Sequence, residues 1–329
     1  MERNVLVDKL KGYACFLVLF GHVIMGIRLA GIPIPAFFEG VEKFIWSFHV
    51  ALFMFLSGVV YKETGQWKSK STRPGFVLHK LCSLGIPYVV FSTVYIAINA
   101  LSGQANNQST FWDILFIWKT PVAQYWFLYA LFFLFCIWAA LSKWLPDWAI
   151  TLLVVLVGYI APLFGVGFGS FGVVFSSALS FGLGTCLDFS KLLKPPVWGK
   201  WLVVLAHIVT GSVLAASGWI EAPWLGELMM VFGIYASIML ISLLRDYKPI
   251  SQFLNFMNRY SFQTYLLHTI FTAGIRIVML RLGITWWWLH VLVGTACGIT
   301  FSVLASEIAK RIKCLNFFFF PTKFLTGKK

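Results

Sequence analysis

Apolar runs of helical length recur from one end of the chain to the other, separated by short polar or basic punctuation. A run of about 20 apolar residues is long enough to cross a hydrocarbon core roughly 30 Å thick. Spans are expected at approximately 10–29, 42–61, 81–101, 125–143, 148–164, 171–187, 200–217, 226–244, 261–280 and 286–308. The fold class that follows is an all-α integral membrane protein of about ten transmembrane helices. Within the third span, Pro87 of Gly85-Ile86-Pro87-Tyr88 deprives a neighbouring carbonyl of its helical donor. Glycines concentrate in spans five and six (Gly165, Gly167, Gly169, Gly172, Gly182, Gly184), as close helix packing requires.

Composition agrees with this pattern and removes the soluble alternatives. The 329 residues are 59% hydrophobic and 12% charged, with a mean hydropathy of +0.82. A soluble domain carries about 25% charged residues, so this one cannot clothe a water-facing surface. The basic start before the first run raises a signal peptide, but apolar runs simply continue after it. The net charge of +14 suggests nucleic acid until its placement is considered. With the N-terminus inside, all of the 26 Lys and Arg except Arg28, Lys43, Lys119, Arg276 and Arg281 fall on the cytoplasmic side. That asymmetry is topological, places both termini in the cytoplasm, and removes nucleic acid as a partner. The cysteines (Cys15, Cys82, Cys136, Cys186, Cys297, Cys314) have no ligand spacing and read as small apolar residues; no metal is expected.

Two loops carry other chemistry. The segment 62–80 is the richest cationic stretch, with Lys62, Lys68, Lys70, Arg73 and Lys80, read as topology signal or as phosphate attraction. The outer loop, about 102–124, places Gln104, Asn106, Asn107 and Gln108 beside Trp112 and Trp118, then Gln124-Tyr125-Trp126 at the boundary. Aromatics beside amides suit a sugar ring, and equally an interfacial belt.

The membrane interior holds histidine rather than carboxylate. Asp188 and Glu227 end their spans and Glu307 lies close to an end, whereas His22, His49, His207 and His268 are internal. A transporter or flippase, the alternative reading, ordinarily relays protons through mid-membrane carboxylates and shows internal repeats; neither is visible. His22 and His49 fall at similar depth in the outer half, where adjacent spans can present them to one cavity. His268 falls in the inner half, on the donor side or in packing. His207 reads as a helix-packing residue and His290 as interfacial. Lys11 stands eleven residues before His22, roughly 16 Å along one helix. A phosphorylated cytoplasmic donor with a long arm would leave its phosphates near Lys11, Arg73 or Lys80 and bring its reactive end to His22. Histidine can take a proton from a hydroxyl at neutral pH, and a thiolate leaves with little help. Acyl transfer from a thioester to an alcohol therefore fits without metal or redox cofactor.

Lys11-x10-His22, within Asp8-Lys9-Leu10-Lys11-Gly12 and Phe20-Gly21-His22, resembles the signature of the membrane acyltransferase-3 family, an arginine followed after ten residues by a histidine. Lysine here stands where the family has arginine, as in its fucose-O-acetylase-like branch; the charge is kept and the bidentate fork is lost. Ser47-Phe48-His49-Val50-Ala51-Leu52-Phe53-Met54-Phe55-Leu56-Ser57-Gly58, His79-Lys80-Leu81 to Ile86-Pro87-Tyr88, and Tyr260-Ser261-Phe262 to Tyr265-Leu266-Leu267-His268 resemble further family segments in family order. Trp126-Phe127-Leu128-Tyr129-Ala130-Leu131 is a weaker match.

The resemblance implies one membrane domain over 1–329 with no appended soluble domain, in a bacterial cell membrane. It implies no permanently bound cofactor, acetyl-CoA or another acyl-CoA as co-substrate, and a glycan or lipid-linked sugar as acceptor. A homodimer is compatible with it. His22 would be the base, with Lys11 and His49 beside it in catalysis. Lys11, Arg73, Lys80 and His268 would bind the donor. Ser57, Trp126, Tyr129 and Tyr265 would support the acceptor or the oxyanion.

Overall fold

The computed structural model describes residues 4–65, 73–102 and 109–325, and among them there is no strand. Arg3, Lys68, Lys70, Lys328 and Lys329 of the charge pattern lie outside the described residues, as do Gln104, Asn106, Asn107 and Gln108 of the polar loop. Arg73 is described in its backbone alone. The helices are α1 (Val5–Leu29), α2 (Ala36–Trp46), α3 (His49–Thr64), α4 (Arg73–Lys80), α5 (Ile86–Ser102), α6 (Trp126–Leu141), α7 (Asp147–Leu163) and α8 (Gly172–Cys186). They continue with α9 (Val197–Ser217), α10 (Pro223–Leu244), α11 (Lys248–Arg259), α12 (Ser261–Arg281), α13 (Trp287–Arg311), α14 (Lys313–Phe319) and α15 (Pro321–Leu325).

Each of the ten expected spans is helical, and eight are long and apolar enough to cross a membrane. The other two are α7, with 17 residues, and α12. On α12 the polar side chains Gln263, Thr264, His268, Thr269, Thr272 and Arg276 lower the hydropathy. The second span is two helices, because the chain turns at Ser47-Phe48 between α2 and α3. There Ser47 Oγ donates to Phe44 O at 2.7 Å, and Phe48 N reaches Ile45 O at 3.3 Å. The third span is interrupted by a π turn, Leu81–Gly85, immediately before Pro87. The proline ring has no N–H and crowds the carbonyl four residues back; a widened turn relieves both problems.

The chain forms two compact units. The first comprises residues up to Leu56 with Asp188–Ser306. At its centre α1 packs against α11, α12, α2 and α10. Gly12 lets α1 and α11 approach at backbone distance: a Cβ there would overlap the Leu254 carbonyl. On the outer half of α1, Leu19, Val23, Ile27, Ile32 and Val291 form one buried cluster, with Gly294 and Gly298 of α13 facing Val23 and Leu19. The α2–α3 turn is held by Phe44 and Phe48, which fill the space left by Gly211 of α9 and Gly233 of α10. Lys9 is buried, and its ammonium donates to the Arg245 carbonyl at the end of α10, where a cation best meets unsatisfied acceptors.

The second unit comprises Ser57–Leu187 with residues from Glu307 on. Its core is aromatic: Tyr61, Phe76, Phe135, Trp138 and Phe181 pack ring to ring. Gly182 accepts Thr151 of α7, and Gly58 accepts the Phe181 backbone of α8. Lys62 donates to Cys186 O and Leu187 O at the end of α8, as Lys9 does at the end of α10.

Candidate active site

His22, His49 and His268 all belong to the first unit and use one local device. Each Nδ1 meets the carbonyl one turn earlier in the chain: His22 with Val18 at 2.8 Å, His49 with Ile45 at 2.8 Å, and His268 with Thr264 at 2.9 Å and Tyr265 at 2.9 Å. A carbonyl only accepts, so Nδ1 carries the hydrogen in each ring. In the neutral form the lone pair is then on Nε2. His49 and His268 are fully buried, and their Nε2 atoms have no hydrogen-bond partner. His22 is half-buried.

His22 and His49 each pack against Trp46, and His268 packs against His22. The centroid of His22 lies 4.8 Å from that of His268, edge on, and 5.1 Å from that of Trp46. Trp46 lies 5.0 Å from His49. The α2–α3 turn accomplishes half of this, placing Trp46 as the last residue of one helix and His49 as the first of the next. The indole lies over Gly21, where a Cβ would be in ordinary contact with its Nε1 at 3.6 Å.

Helix register accomplishes the other half. Cys15 Sγ meets Ser261 O at 3.6 Å, which sets the first turn of α12 level with the middle of α1. Seven residues further along each helix, about 10 Å of rise, stand His22 and His268. The sequence put His268 in the inner half, on the donor side or in packing, because it measured depth from the start of its own helix. In the structure α11, an amphipathic helix burying Leu254 and Met257, occupies the first turns of α1, and α12 begins only beyond it. His268 thus stands against His22.

Lys11 is half-buried on α1, and its angular separation from His22, about 20° past three full turns, puts both on one stripe of the helix. Tyr265 is half-buried, and its carbonyl serves to hold His268. His207 is packed, as expected, but neither ring nitrogen has a partner, because Phe44, Phe48 and Phe232 surround it. His290, in the first turn of α13, is buried, with Nε2 on Ile284 O at 2.8 Å.

Lys80, Ser57, Trp126 and Tyr129 belong to the second unit. The Lys80 ammonium lies 3.9 Å from the Phe135 ring centroid and 5.3 Å from that of Phe76. Tyr129 and Tyr88 pair at 6.0 Å and line an apolar cavity of about 510 Å³ with Trp118, Leu128 and Phe133. Ser57 and Trp126 are half-buried. Among the described residues, no group of three or more His, Cys, Asp or Glu is arranged to hold a metal ion.

Sequence reasoning did not single out Trp46 or the pair Arg28–Glu42. The Arg28 guanidinium donates from Nε to Glu42 Oε2 at 2.9 Å and from Nη2 to Oε1 at 2.8 Å, in the bidentate form. One available signal was a lone arginine and two glutamates, Glu39 and Glu42, on either side of a two-proline loop.

Residues 4–307 match a family model described as an acyltransferase domain. No curated protein and no solved structure matches the chain.

Proposed function

The chain belongs to the acyltransferase-3 family and is a multi-pass membrane protein, and from that premise we propose that it is an O-acyltransferase with His22 as its base. The observation that carries this reading is the Nδ1–H bond to Val18, which fixes the neutral ring with its lone pair on Nε2. His22 is also the partly exposed member of the histidine cluster, whereas His49 and His268 are sealed.

The acceptor hydroxyl gives its proton to His22 Nε2 as its oxygen bonds to the acyl carbon of the thioester. The tetrahedral adduct then expels the thiolate by breaking the C–S bond, and the thiolate takes the proton from His22 as CoA–SH. His22 is restored, and no redox equivalent is needed. General base catalysis of this kind contributes about 10²–10⁴-fold.

Buried neutral His49 and His268 present lone pairs, not hydrogens, at Nε2. They are therefore unsuited to steady an oxyanion and act by holding the His22 ring and its neighbours in place. The indole N–H of Trp46, over Gly21 and against His22, is the donor we assign to the developing oxyanion.

The donor is acyl-CoA, acetyl-CoA first, approaching from the cytoplasmic side with its phosphates towards Lys11. The acceptor is a hydroxyl of a cell-envelope carbohydrate, free or lipid-linked, and the setting is a bacterial inner membrane.

The test is acyl transfer by His22→Ala, with folding checked by its melting transition and size-exclusion profile. We expect a loss of about 10²–10⁴-fold in kcat. A folded His22→Ala protein that acylates at the wild-type rate would overturn the assignment.

A further inference from the structure

A second cavity in the first unit, about 560 Å³, is lined by Arg28, Glu39, Glu42, Lys43, Trp46 and Ser47. Its volume falls within the roughly 300–1,000 Å³ of small-molecule sites. Two features distinguish it. Glu42 is only 5% exposed although charged, and is held by both arms of Arg28. Trp46, which lines the cavity, is also the ring that touches His22 and His49.

Its position along α1 separates it from the donor end. Arg28 stands six residues beyond His22, about 9 Å, and seventeen beyond Lys11, about 25 Å. Its charges also separate it. Arg28 and Lys43 balance Glu39 and Glu42, so the lining has no net charge, and the Arg28 fork is filled by Glu42. Phosphates and uronates find no surplus cation in such a site. A neutral polyol does find partners: carboxylate oxygens accept from hydroxyls, an ammonium donates to them, and the indole face covers C–H groups.

We propose that this cavity seats the acceptor, and that it selects an uncharged polyhydroxylated ring against an anionic one. The proposal rests on His22 as the base of an acyl transfer, since the Trp46 contact is what brings a ligand held there to the reacting centre.

The experiment is protection of a cysteine against alkylation in the full-length protein. Ser47→Cys keeps the charge of the cavity, and a maleimide reaction at that position is followed by peptide mass spectrometry, apart from the native cysteines. The probes are neutral methyl hexosides that the wild-type protein acylates and the corresponding methyl hexuronates. The neutral glycosides should slow alkylation at least about fivefold more than the uronates, the factor expected from one unbalanced charge at close range. Glu39→Gln, which leaves one surplus cation, should bring the uronates up to the neutral glycosides. Equal protection by both classes without that substitution, or no protection by a glycoside that is acylated, would overturn the proposal. The same measurement in a His22→Ala background separates the two readings. Protection should persist there while product is lost; product without His22 would sink the base and leave the cavity standing.

Discussion

Gly12→Ala tests the register that brings His22 and His268 together without touching either residue. The added methyl would overlap Leu254 O and stand 2.9 Å from Leu254 C and 3.1 Å from Asn258 N. Ordinary carbon contacts are about 3.5–4.0 Å, and the overlap with the carbonyl oxygen is the tightest, so α11 must retreat from α1 by roughly 1 Å or more. The neighbours that must move are backbone atoms, which no rotamer change can relieve. Overpacking of this kind costs about 1–3 kcal/mol, against which alanine in a helix returns about 0.5–1 kcal/mol. The net loss is then on the order of 0.5–2 kcal/mol.

The functional consequence follows from connectivity. Only Tyr260 separates α11 from α12, so a shift of α11 reaches the Cys15–Ser261 contact and the His22–His268 pair beyond it. A misplacement near 1 Å at a catalytic group costs about 10²-fold. Gly274→Ala is the control: it lies on the same helix as His268, and a Cβ there meets nothing within 4 Å. Melting in detergent and acylation at saturating donor should show Gly12→Ala several degrees less stable and about 10–10²-fold slower in kcat. Gly274→Ala should be at least as stable as the wild type and equally active. If the two variants behave alike, the close approach at Gly12 does not set the register and the reasoning fails.

Lys9→Met should lower stability by about 1–2 kcal/mol through the lost bond to Arg245 O, with kcat unchanged in a transfer assay. Lys11→Ala, two residues away, should instead raise KM for acyl-CoA about tenfold with little change in melting, and Lys11→Arg should restore it; identical behaviour of the two lysines would remove Lys11 from donor binding. His268→Asn should lower kcat about tenfold or more with KM for both substrates held, since the packing partner of His22 is lost; an unchanged kcat would make His268 a packing residue only. Trp46→Phe keeps the ring and loses the N–H, and a kcat loss near 10²-fold is expected if that hydrogen steadies the oxyanion, whereas wild-type turnover would refute the assignment.

The sequence by itself determined the family, the membrane class and the apolar runs, eight of which form helices long and apolar enough to cross a membrane. Hydropathy is a local property, and a run of apolar residues finds the same hydrocarbon whatever its neighbours are. It also determined that Lys11 and His22 share one stripe of α1, because helical periodicity needs no partner. Tertiary structure decided which side chains meet. Two lysines two residues apart read alike in the sequence, and only the end of α10 shows why Lys9 is buried there. His268 could be placed by depth along its own helix but not by depth in the bundle. That depth depends on α11 occupying the first turns of α1, which a single glycine permits. Trp46 reads in the sequence as one of 15 tryptophans in a membrane chain. The turn at Ser47-Phe48 sets it between His22 and His49, because backbone direction at a break between helices depends on what each side packs against. The cation and the histidine on α1 are a local pattern; the site around that histidine comes from three chain segments meeting.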